Sequence, residues 1–132
     1  MILGQPVFPE NTPRARLNGR KISILWVNIS TPGHQIKDPL FGFRVYPVKS
    51  FMGIASKVRL GKRMDFDTDI AVRLYWKGLD VVNIKTPVTY YDDGVSSFRM
   101  FRDNVRISWM HTRLFFGMIF RAWKLVTRRN KS

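Results

Sequence analysis

"RMDFDTDIAVRLYW", residues 63–76, is followed by Lys77 and Gly78 and sets three aspartates, Asp65, Asp67 and Asp69, at alternate positions ahead of an apolar-periodic run. Three readings are open: metal ligands, acid–base chemistry, or the start of a helix. The run itself predicts a helix from about Asp67 to Lys77, with Gly78 in the C′ position where a left-handed residue is wanted. Within it, Asp65 or Asp67 would cap the N-terminus and Asp69 would pair with Arg73 four residues on.

Upstream, Met1 to Phe8 reads as a strand and "PENTPR" as loop chemistry. Asn18 is a candidate cap for a helix through "GRKISILWVNIS" that stops near Pro32 and Gly33. "GFRVY", residues 42–46, reads as a short strand, and Pro47 opens "VKSFMGIASKVR", a helix ended by Gly61. Downstream, "DVVNI" and "PVTYY" are two β-rich runs, "DDG" at 92–94 is a turn, and Asn104 to about Arg128 is one long helical pattern. No internal repeat or low-complexity linker divides the chain, so a single mixed α/β unit is expected.

The composition narrows the partners. The 132 residues are 45% hydrophobic, enough for a core, and 23 Lys and Arg against 9 Asp and Glu leave a formal charge of +14, which predicts attraction to phosphate. Zero cysteines exclude a disulfide framework and thiolate ligation, and two isolated histidines, His34 and His111, argue against zinc. "MILGQPVFPENTPR" lacks the pattern of a secretory signal, which predicts a cytoplasmic protein. The longest fully apolar run, "LFFGMIF" at 114–120, falls far short of the roughly 20 residues that span a bilayer.

From Asn104 to Ser132 there is no acidic residue. At 100° per residue, Arg106, Arg113, Arg121, Lys124 and Arg128 fall within a sector of roughly 80°, and Trp109, Phe115, Phe116, Ile119, Phe120 and Trp123 occupy the rest. Rings beside cations suit a membrane interface, with Trp109, Phe116, Trp123, Arg113 and Lys124 as docking residues on an anionic surface. The alternative is a core helix with a solvated charged edge. Nucleic acid is a weaker candidate partner, because no zinc finger, RNP-like pattern or helix-turn-helix pair accompanies the charge.

"DPLFGFRVYP", "RMDFDTDIAVRLYWKGLDV" and "YYDDGVSSFRMFRDNVRISWMHTRLFFG" together resemble, in order and rough spacing, the second half of inverting family 2 glycosyltransferases, notably bacterial members similar to dolichyl-phosphate mannose synthases. The resemblance covers about Leu3 to Phe120. It implies the C-terminal half of a GT-A (nucleotide-diphospho-sugar transferase-like) α/β fold, with short mixed strands and about four helices, the last amphipathic. Residues 1–103 would form the acceptor-side half and 104–132 a basic amphipathic helix and tail. The parent enzyme would move a sugar from a nucleotide-sugar donor to a lipid or glycan acceptor at the inner face of the cytoplasmic membrane. Its Mg²⁺ or Mn²⁺ would be held by a donor-binding half that nothing here resembles, so this chain would carry no cofactor and be inactive alone.

On that resemblance "DFD" and "DTD" are not the metal motif. Asp67 matches the carboxylate that takes the proton of an attacking hydroxyl, and Asp69 an acidic position usually occupied by Glu. An ionised lipid-phosphate acceptor would need no base, and the similar mannose synthases carry a non-acidic residue at the position of Asp67. Gly42 and Arg44 match an acceptor-loop motif in which Gly permits close backbone approach and Arg faces phosphate; Asp38 matches a usually acidic position before it. In the third block Ser96-Ser97 replaces a Ser-Lys pair, leaving Arg99 or Arg102 to supply phosphate-facing charge. For all three arginines the alternative is solvated surface charge.

Overall fold

The computed structural model describes residues 1–89 and 99–129. Its elements run β1 (Ile2–Val7), α1 (Arg14–Ser30), β2 (Arg44–Val45), α2 (Val48–Ala55), α3 (Phe66–Trp76), β3 (Val82–Pro87) and α4 (Met100–Arg129). The chain is thus mixed α/β, with four helices and a mixed sheet of order β2-β1-β3. β1 pairs antiparallel with β2, Leu3 opposite Arg44, and parallel with β3 from Ile2↔Val82 to Val7↔Pro87.

The quoted stretch forms the expected helix. Asp65 takes the cap position and its carbonyl accepts the Asp69 amide at 3.2 Å, although its side chain makes no cap bond. At the other end Gly78 has φ +104°; its amide reaches the Tyr75 carbonyl and that of Leu79 reaches Leu74, the paired bonds of a Schellman ending.

Three helix boundaries differ from the sequence reading. α1 begins at Arg14, not after Asn18, because Pro13 at its cap position (φ −57°, ψ 128°) already delivers the chain into helix. α2 stops at Ala55: the amides of Lys57 and Val58 both turn onto the Ile54 carbonyl, which folds Val58 and Leu60 against Ile54, Ile70 and Leu74. α4 begins at Met100, not Asn104, because Asp103 reaches back to the Arg99 amide at 2.7 Å and satisfies a donor the helix start leaves open. The expected boundary at 103/104 therefore falls inside α4. "PVTYY" is not a separate strand in its described part, since Pro87 closes β3; Tyr90, Tyr91, the "DDG" turn and Ser96-Ser97 lie outside the described residues.

The core lies between the inner sheet face and the helices. Leu3, Val27, Ile36, Ala71, Val72, Tyr75, Met110 and Leu114 form one cluster, so α4 supplies two of its fully buried side chains. Trp76 Nε1 donates to the Ser30 carbonyl at 2.8 Å and ties α3 to α1. On the outer sheet face Gly4 is required: a Cβ there would lie 2.6 Å from the ring of Phe41. Phe43, Val45, Val82 and Ile84 are exposed around it.

Candidate functional site

The loop before β2 and the first turn of α3 are joined by one buried arginine. Arg44, whose side chain is 3% exposed, donates through Nε to the Phe41 carbonyl at 2.7 Å, through one terminal nitrogen to the Asp67 carbonyl at 2.6 Å and Tyr46 Oη at 3.2 Å, and through the other to the Pro39 carbonyl. Thr68 Oγ1 donates to the same Pro39 carbonyl at 2.9 Å. The loop is clamped from the far side by Asp38, which accepts from Arg20 at 2.7 Å and from the Leu40 amide at 2.9 Å. Burial pushes the Tyr46 phenol above its ordinary value against the opposing pull of the Arg44 charge.

Asp67 sits where this clamp meets solvent. Its side chain is 41% exposed, with one oxygen 4.0 Å from Arg44 Nε. A carboxylate so placed is held at its backbone by a guanidinium while its oxygens remain open to a ligand, which is the geometry a general base needs. Gly42, in the same clamped loop, is exposed and has open space where a Cβ would project, so a ligand could approach the backbone there.

Three expected roles require correction. Asp69 is fully buried, bound to Arg73 at 2.6 Å and to Arg113 at 3.1 Å, so no acceptor reaches it and it cannot act as a catalytic group. The same pairing removes Arg113 from the docking stripe: it points inward from α4, also donating to the Arg59 carbonyl at 3.3 Å, because a buried carboxylate flanked by only one cation would be poorly compensated. Arg44 faces backbone carbonyls and not a phosphate site, since its guanidinium is taken up by two carbonyls of its own loop, Pro39 and Phe41, and by that of Asp67 in α3.

Arg99 and Arg102 are exposed at the start of α4. That start is drawn toward the approach to α3 by the 3.5 Å ion pair between Asp103 and Arg63. Along α4, Trp109 is 64% and Trp123 85% exposed, with Phe116 and Lys124 also in solvent. Among the described residues no group of three or more His, Asp or Glu could hold a metal ion, and no described helix is long and apolar enough to cross a membrane.

Two features escaped the sequence reading. The Asp69–Arg113 pair joins positions 44 residues apart and left no local signal. The apolar series Ile22, Leu25, Trp26, Ile29 on α1 did leave one, in its helical spacing, but these side chains are exposed where such spacing ordinarily marks a core face. No family model, curated protein or solved structure matches this chain.

Proposed function

We propose that the chain is the acceptor-side portion of a family 2 glycosyltransferase working at a membrane surface, with Asp67 as its base. The observation that carries this reading is the exposed Asp67 carboxylate on a turn immobilised by Arg44. A sugar hydroxyl attacks poorly until a carboxylate within about 3 Å accepts its proton, and a fixed backbone beneath that carboxylate sets the line of attack opposite the leaving diphosphate. Arg99 and Arg102, exposed near the same end of α3, would face phosphate. The metal implied for the parent enzyme belongs to the donor-binding half, and no step here runs through it. The apolar outer sheet face, with Val45, Val82 and Ile84 in solvent, suits a neighbour of that kind.

The test is to fuse a family 2 donor-binding half ahead of Met1 and measure transfer from a nucleotide-sugar to a hydroxyl acceptor. Transfer is expected, and Asp67→Asn should lower it at least about 100-fold. An unchanged rate in that variant sinks the base role. Turnover by the 132-residue chain alone, with any UDP- or GDP-sugar and Mn²⁺, sinks the partial-enzyme reading.

The exposed rings of α4 favour a second reading, a non-enzymatic basic membrane-binding module. Deleting the helix cannot separate the two, because Met110 and Leu114 belong to the core. Replacing Trp109, Phe116 and Trp123 by Ala tests the docking that both readings expect to weaken on anionic vesicles; Asp67→Asn in the fusion separates them, because only the enzyme reading expects it to matter.

A further inference from the structure

We infer that α1 and α4 together form one membrane-docking platform, so that the surface meeting the lipid is two helices wide. This rests on the docking role proposed for α4 and extends it to a helix outside the three blocks on which the family resemblance was drawn. On α1, Ile22 and Leu25 are 61% and 59% exposed, with Trp26 and Ile29 beside them on the same stripe. Their spacing of three and four residues is that of a helix face meant to be covered. On α4 the corresponding exposed row is Trp109, Phe116, Phe120 and Trp123.

The two rows adjoin through a chain of rings. Trp26 of α1 meets Phe115 of α4 edge-on at 6.2 Å between centroids, and Phe115 meets Phe116 at 5.8 Å. Trp26 also stacks on His111 at 6.3 Å, closing the seam between the helices. Such a surface exceeds the scattered single apolar residues of an ordinary exterior.

Charge selects the occupant. α1 carries no acidic residue from Arg14 to Ser30, and α4 carries none beyond Asp103. The exposed charges beside the rows, Lys21 on α1 and Arg106, Arg121 and Lys124 on α4, are all cationic. An anionic leaflet complements an apolar platform with a cationic rim: rings and aliphatic side chains enter the headgroup boundary while the cations meet lipid phosphate. A second copy of this chain would bring two cationic rims together in a protein already at +14.

The absence of cysteine makes the test direct. Leu25→Cys, Phe120→Cys and, on the outer sheet face, Ile84→Cys each accept one environment-sensitive fluorophore. With vesicles of phosphatidylcholine and phosphatidylglycerol, the probes at 25 and 120 should shift to the blue and be quenched by nitroxide-bearing lipid, while the probe at 84 should not. The double variant Ile22→Ser, Leu25→Ser should bind these vesicles about tenfold more weakly with its thermal melt unchanged. A response at 120 but none at 25 overturns the two-helix platform and leaves α4 docking intact. No response at either position overturns both. If the probe at 25 shifts with protein concentration in the absence of lipid, and sedimentation shows a dimer, the occupant is a second copy and the lipid assignment fails.

Discussion

Helices α3 and α4 treat their side chains in opposite ways. α3, 11 residues long, buries seven of them, including the carboxylate of Asp69, which it matches with Arg73 from its own next turn and Arg113 from α4. α4, 30 residues long, buries Met110 and Leu114 on one side and leaves Trp109, Phe120 and Trp123 in solvent on the other. A polar group inside and the largest apolar groups outside reverse the usual sorting, and each reversal has its own reason. The buried charge is compensated by two guanidinium groups and joins two helices; the exposed rings have no partner within the described chain.

The largest expected effect breaks the α3 side of this contrast. Asp69→Ala leaves Arg73 and Arg113 without their anion and should cost about 3–5 kcal/mol in urea unfolding. If the loss is below about 1 kcal/mol, the pair does not hold α3 to α4. Leu114→Ala, on the covered side of α4, should cost about 2–5 kcal/mol by the same measurement.

pH probes the seam between α4 and α1. Both nitrogens of His111 are buried without a hydrogen-bond partner among the described residues, and burial lowers its pKa from 6.5 to about 4. Below pH 6.5 the unfolded chain takes up a proton that the folded chain refuses until about pH 4, so stability present above 6.5 falls across that window, by up to about 3 kcal/mol. His111→Phe should flatten that part of the pH profile, and a profile unchanged in the variant would assign the acid sensitivity elsewhere.

The smallest effects sharpen the contrast. Asp67→Asn should change stability by less than about 1 kcal/mol, because its carboxylate is half in solvent and 4.0 Å from Arg44. Phe120→Ser, on the bare side of α4, should stay within about 0.5 kcal/mol in solution. Against the cost expected for Leu114→Ala, that difference measures how completely one helix divides its two faces.

Several parts of this arrangement were legible from local pattern. The helix after the aspartates, its glycine ending, the opening strand and the Asp69–Arg73 pair all arise from neighbours within a turn or two, where spacing and backbone preference decide the outcome. α4 starts four residues ahead of the helical pattern at Asn104, because the Asp103 carboxylate accepts the Arg99 amide at the helix entrance, a bond that the apolar periodicity does not announce. The partners of Arg44 are not legible in "GFR", which says nothing of which carbonyls will lie nearby. Asp67 and Asp69 were indistinguishable as residue types two positions apart; their separation into one open and one sealed carboxylate follows from which side of α3 meets α4.

The order of residues alone therefore determined the α/β class, the basic character, the helix around residues 66–76 and the amphipathic end, all consequences of short-range periodicity and charge. Only the folded chain decided that Arg113 turns inward, that Arg44 braces a loop, and that the apolar row of α1 lies in solvent beside that of α4. Those outcomes depend on contacts between segments dozens of residues apart, and no local pattern encodes which face of a helix its distant neighbours will leave uncovered.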